Sequence, residues 1–353
     1  MSYQQLWKHR KIALLTDGYS TPFLAKTAIN LLRYRTKDVV SVLDHSLTGK
    51  TAKEVFGVGG DIPMVGSLGE RENIDAIYVG IAPPGGKLPS AWRPILEQAL
   101  KQGIDVVSGL HDFVSEDPAL SEIALRSGAQ IVDVRKNTLK ETATCEPFRK
   151  GNLRIHAVGH DCSVGKMVIT VELERRLKAL GHDAKFLATG QTGIMISGEG
   201  VPVDCVVSDF VNGAVEQLVR SNGQHEILLI EGQGSISHPA FSAVTLGLLH
   251  GCAPQGLVFC YEAGRTMVKG LKDIPIPPLA EQMDACVQMA KLRHPCQMIG
   301  MAINTRTLNA EEARLEVEKA EREFGLPACD VYRDGCDKLV QAVMKLKKEL
   351  EQS

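Results

Sequence analysis

Short apolar runs alternate with stretches whose apolar residues recur every three or four positions, from one end of the chain to the other. That alternation predicts parallel strands covered by helices. In the first half it predicts strands at 11–16, 39–43, 76–81, 105–108 and 130–134, with helices at 22–34, 92–102 and 121–126. In the second half a strand begins at 153, and others follow at 184–188, 227–230, 256–260 and 298–302. Helices are predicted there at 167–180, 280–292, 310–324 and 338–349, the last amphipathic. Between the halves, 135–151 is mostly polar and has little periodicity, so it is predicted as a linker. The 353 residues exceed what one hydrophobic core usually serves. The expectation is therefore an α/β chain of two parallel-sheet domains, 1–150 and 151–353.

Composition narrows the class. Forty basic residues against forty-two acidic ones leave a formal charge of -2, which gives no footprint for nucleic acid or an anionic membrane. No apolar stretch is long enough to span a bilayer. The first apolar run, of about five residues, is too short for the core of a signal peptide. The nine cysteines form no C-x-x-C pair, and their odd number argues against a full disulfide set. Reduced thiols in a cytoplasmic protein are the expectation.

The second half carries the clearest chemistry. In RIHAVGHDCSVGKM an apolar strand enters a glycine-bounded loop, Gly159, His160, Asp161, Cys162, Ser163, Val164 and Gly165, and Lys166 and Met167 open a helix. Glycines let the loop curl its N–H groups inward, the helix N-terminus adds partial positive charge, and the lysine reaches terminal phosphates. This is a phosphate-binding P-loop. Five residues rather than four separate the bounding glycines, and Asp161 stands two after the first. That form resembles the P-loop of dethiobiotin synthetase and its relatives. Met167 stands where a hydroxyl normally ligates Mg²⁺, which puts magnesium-dependent ATP chemistry in doubt. Asp161 can still touch a metal or its waters.

Further strand ends add candidates. The apolar run 227–230 ends in Glu231, the place of a carboxylate that ligates Mg²⁺ or orients a nucleophile. Gly232 and Gly234 follow and admit a ligand close to the backbone. After 184–188 come Thr189, Gly190, Gln191 and Thr192, a loop suited to a small polar substrate. Asn304 ends another strand, and in the resembling enzymes an Asn there reads the nucleotide base. His238 and His160 are candidate general bases. The ten histidines show no zinc-ligand spacing.

The first half looks Rossmann-like, but its first turn is not G-x-G-x-x-G, so NAD is not expected. Its candidate loops are Pro84, Gly85 and Gly86 after one strand and His111 after the next.

Taken together, APPGGKLPSAWR, SGLHDF, GHDCSVGKM, TGQTGIMISG, SDFVNGAVE, EGQGSISHP and VTLGLLHGCAP resemble the D-glutamate N-acetyltransferase-like family. That family was long catalogued as a domain of unknown function, with a Rossmann-like N-terminal half and a P-loop NTPase-like C-terminal half. The resemblance implies acyl transfer from acetyl-CoA to the amino group of D-glutamate or a similar acidic amino acid. A P-loop can hold the phosphates of CoA without Mg²⁺, which makes Met167 intelligible. On this reading Lys166, Asp161, Glu231 and His238 are catalytic, with Glu231 or His238 as the base. Arg265 is the candidate clamp for substrate carboxylates. The alternatives are an ATP-dependent ligase or kinase, with Asp161 and Glu231 on Mg²⁺, and a nucleotide-responsive regulator without turnover. A homo-oligomer is the default expectation.

Overall fold

A computed structural model describes residues 1–352, the Pro84 side chain excepted. That side chain, part of an expected substrate loop, lies outside the described residues. The chain forms two compact units. One comprises Met1–Asn137 with Gln191–Cys205, the other Thr138–Gly190 with Val206–Ser353.

The first unit holds strands β1 (Ile12–Leu15), β2 (Val39–Leu43), β3 (Met64–Val65), β4 (Ala76–Val79), β5 (Asp105–Ser108) and β6 (Ile131–Asp133). They form one parallel sheet of order β3-β2-β1-β4-β5-β6. Helices α1 (Lys26–Tyr34), α2 (Ala52–Phe56), α3 (Arg93–Lys101) and α4 (Pro118–Ser127) connect them. Every residue of β1 and β4 is buried, as a sheet covered on both faces requires. Asp117 caps α4 by accepting from the N–H groups of Ala119 and Leu120.

The second unit begins with β7 (Leu153–Gly159) and α5 (Lys166–Ala179), followed by β8 (Ala184–Leu187). Helix α6 (Gln191–Ser197) belongs to the first unit. The second unit then continues through α7 (Val211–Ser221), β9 (Ile227–Ile230), α8 (Ser242–Cys252), β10 (Gly256–Glu262) and α9 (Leu279–Lys291). It ends with β11 (Gln297–Asn304), α10 (Ala310–Phe324), β12 (Ala328–Cys329) and α11 (Asp337–Gln352). Its parallel sheet has the order β12-β11-β10-β7-β9-β8. The central strand β7 is buried along its whole length. Packed cores lie against it, one built with α5 and α11 and another with α9 and α10.

The fold is the expected one, two parallel-sheet α/β domains with a P-loop between β7 and α5. Some elements differ from the pattern reading. The polar loop expected to run through Thr192 stops at Gly190, and Gln191 and Thr192 already lie in α6. Thr192 Oγ1 is 3.0 Å from Thr27 Oγ1. Helix α8 escaped notice because it is apolar nearly all round, so it shows no amphipathic stripe. Arg135, read as linker, is buried and donates to Asp204 and to Gln191 Oε1, as well as to the Gly109 carbonyl. No helix among the described residues is long and apolar enough to cross a membrane.

Candidate functional site

The P-loop is set by its neighbours in the sheet. β7 pairs with β10 on one side and β9 on the other, so the ends of all three strands converge on the loop. His160 N–H donates to the Cys260 carbonyl, 3.1 Å away, which fixes the first turn. Ser163 takes a left-handed φ of 57° and Gly165 one of 113°, which swing the chain into α5. Lys166 is buried and donates to the Asp161 carbonyl oxygen at 2.6 Å. Burial pulls its ammonium below the usual lysine range.

Asp161 is fully buried and hydrogen-bonded at both oxygens. Its Oδ1 accepts from Cys162 N–H at 2.6 Å, and its Oδ2 accepts from Arg265 at 3.0 Å and from Lys269 N–H at 2.8 Å. Arg265 also donates to the Cys162 carbonyl at 2.8 Å and to Glu262. Arg306 reaches the other Glu262 oxygen at 3.1 Å. Arg265 is thus held between two carboxylates of its own chain.

The two candidate histidines differ in kind. His160 accepts the Glu262 N–H at its Nε2, 3.1 Å away. Burial first, then Arg265, pushes its pKa down to about 3. Its basic nitrogen is occupied by the backbone. His238 accepts the Ala240 N–H at Nδ1, 3.1 Å away, which places its proton on Nε2. That Nε2 is buried without a hydrogen-bond partner and lies 3.7 Å from Asp161 Oδ1. Burial lowers its pKa as well.

Glu231 closes the other flank. One of its oxygens accepts from Thr189 N–H at 2.8 Å and Gly190 N–H at 3.1 Å. The other accepts from Gln233 Nε2 at 3.2 Å. Thr189 Oγ1 returns a bond to the Glu231 carbonyl at 2.8 Å. These bonds tie the β8 and β9 loops together. Thr245 Oγ1 donates to the Gln233 carbonyl next to Gly234. Asn304 accepts from Arg306 N–H at 3.2 Å.

The structure therefore brings Gly159 to Met167, Glu231, His238 and Arg265 to one end of this sheet, with Thr189 and Gly190 on Glu231. Within the first unit, Gly86 and His111 meet. There His111 N–H donates to the Gly86 carbonyl at 2.9 Å, and its ring lies 3.2 Å from Cys205 Sγ. Gln191 accepts from Arg135. Sequence reading missed Glu262, Lys269 and Gln233. Glu262 could have been found, since it ends the buried β10 as Glu231 ends β9.

Gly232 explains why that strand end needs glycine. A Cβ there would overlap the Ala157 carbonyl oxygen and approach Lys166 Cδ to 2.9 Å. Ala157 lies in the central strand, so the carbonyl cannot yield. Gly232→Ala is expected to cost about 3 kcal/mol, the upper range for overpacking, and to displace Lys166. Gly181→Ala is the control: its φ is 86° and nothing lies within 4 Å of the added carbon, so only backbone strain of about 1–2 kcal/mol applies. Denaturant midpoints of the two variants measure the difference. Equal losses would contradict the overlap.

Residues 141–340 match the family described as Domain of unknown function (DUF1611_C) P-loop domain, and 45–137 match Domain of unknown function (DUF1611_N) Rossmann-like domain. The chain is 40% identical over 268 residues to a D-glutamate N-acetyltransferase of Tritonibacter scottomollicae, spanning 76% of this chain and 80% of that protein. It is 39% identical over 263 residues to a D-glutamate N-acetyltransferase of a Pseudoalteromonas species, spanning 74% and 79%. A crystal structure of a DUF1611 family protein from Anabaena variabilis superposes with a TM-score of 0.89 at 36% identity, covering 95% of this chain and 99% of that one.

Proposed function

This chain belongs to the D-glutamate N-acetyltransferase-like DUF1611 family and is an enzyme, and we propose that it transfers the acetyl group of acetyl-CoA to the amino group of D-glutamate or a similar acidic amino acid. The likeness to two proteins of that name, over four-fifths or nearly four-fifths of their length, carries the reading. The site supports it. The loop N–H groups and Lys166 bind CoA phosphate. The neutral His238 offers its Nε2–H to the thioester carbonyl oxygen, which becomes an oxyanion when the amine attacks. The substrate ammonium first loses a proton to Glu231. The new C–N bond forms, the C–S bond breaks as Glu231 passes its proton to the departing thiolate, and the nitrogen sheds its second proton to water.

Magnesium does not fit these residues well. Met167 replaces the usual hydroxyl. Thr170, one turn on, is back-bonded to the Lys166 and Met167 carbonyls at 3.1 and 2.8 Å. Asp161 already accepts from the Cys162 and Lys269 N–H groups and is paired with Arg265. Binding of acetyl-CoA, followed by calorimetry, is therefore expected to be the same in EDTA and in excess Mg²⁺. Loss of binding in EDTA, restored by the metal, would favour ATP-dependent carboxylate activation instead. Met167→Thr should not improve acetyl-CoA binding in either condition.

A further inference from the structure

We propose a second anion-binding site in the P-loop unit, at the start of β7 rather than at its end. A pocket of about 350 Å³ opens there, lined by Phe148, Asn152, Arg154, His250, Arg293 and others. Arg154 and Gly159 are five strand residues apart, roughly 16 Å at about 3.3 Å per residue. The pocket is therefore separate from the P-loop.

Arg154 carries the inference. It is only 3% exposed. Its Nε donates to the Cys252 and Ala253 carbonyls, both at 3.0 Å, and its Nη1 donates to the Asn152 carbonyl at 3.3 Å. The guanidinium stacks on Phe148, 4.7 Å from the ring centroid. Among the described residues no carboxylate lies within 4.0 Å of it. Glu216, which also lines the pocket, is spent on Thr144, the Cys145 N–H and Arg220. Burial lowers the Arg154 pKa to about 10, so it stays charged at neutral pH. Buried charges are ordinarily paired. This one has neutral carbonyls and a ring, and a pocket in front of it.

Asn152 supplies an independent observation. It is buried, and its Nδ2 donates to the Gly223 and His225 carbonyls at 2.9 and 2.5 Å. Those bonds fix which end of the amide is oxygen, and Oδ1 is left buried with no donor. Arg293 adds an exposed cation at the rim. The ligand is therefore a small oxyanion that also carries a hydrogen-bond donor, a hydroxy acid or a protonated phosphate. Its oxyanion faces Arg154 and its O–H faces Asn152.

The test uses the full chain with Lys166→Ala, which removes the P-loop lysine, and calorimetry with malate, inorganic phosphate, succinate and sulfate. Malate or phosphate should bind saturably, and more tightly than succinate or sulfate, which lack the donor at neutral pH. Arg154→Met should weaken binding about tenfold to a hundredfold, the range for a charged hydrogen bond. Arg293→Ala, on the surface, should weaken it in the same direction with folding intact, so the test survives if Arg154→Met misfolds. No saturable binding of any probe, or affinities indifferent to both arginines, would overturn the site.

Discussion

Glu231→Gln is expected to lower acetyl-transfer turnover by about 10²–10⁴-fold, the usual contribution of a general base, with acetyl-CoA binding nearly unchanged. The amide keeps an oxygen for Thr189 and Gly190, whose N–H groups now bond one Glu231 oxygen, so the loops remain tied. What it loses is the capacity to accept the ammonium proton. His238→Leu should cost about 10²–10³-fold, as removal of an oxyanion donor does. His238→Gln, which retains an N–H, should recover part of that. The two residues then separate by pH profile. The acid limb of turnover belongs to the proton acceptor and should vanish with Glu231→Gln, whereas His238 variants should keep its position. A limb that disappears in the His238 variants would reverse the roles.

Acid should begin to destabilise the P-loop unit above the pH range in which ordinary carboxylates titrate. His156 is fully buried, donates Nδ1–H to the Ile230 carbonyl at 3.1 Å, and has its pKa pushed down to about 4, chiefly by burial. His160 is pushed down to about 3. Both are neutral in the folded chain, and both take up a proton near pH 6.5 once unfolded. Their contribution is therefore fully present above about pH 6.5 and is lost as pH falls towards the folded values. Each histidine accounts for about 1.4 kcal/mol per pH unit, so the pair gives a slope of about 2.7 kcal/mol per unit between roughly pH 6 and 4. Urea unfolding at a series of pH values measures it. His160→Gln, whose side-chain oxygen can still accept the Glu262 N–H, should halve the slope. A stability that stays level from pH 7 to 4.5 would mean that these rings are not held neutral.

Much of this was legible in the chain. The two parallel sheets were readable because buried parallel strands are short apolar runs and their covering helices are periodic. The P-loop was readable because strand, loop, lysine and helix are contiguous. What was not legible depends on which atoms meet in three dimensions. Residue types alone do not say that the Ala240 N–H, two residues on, bonds His238 Nδ1 and leaves the ring proton on Nε2. Arg265 was legible as a cation after β10, with Glu262 three residues before it, but not its bond to Asp161, which comes from the loop after β7. Arg135 looked like linker because its partners, Gly109, Gln191 and Asp204, arrive from other parts of the first unit. Helix α8 was hidden by its own uniform hydrophobicity, since periodicity cannot mark an element buried on nearly every side.

The most direct measurement of the central claim is a paired assay on the purified full chain. Acetyl-CoA and D-glutamate are supplied in EDTA without ATP, with free thiol followed by absorbance and the amino acid product by mass spectrometry. The same protein is assayed in parallel with D-glutamate, ATP and Mg²⁺ for release of ADP. The proposed chemistry predicts thiol and N-acetylglutamate in equal amounts in the first reaction, and no ADP in the second. ADP release without any thiol or acetylated product would contradict it.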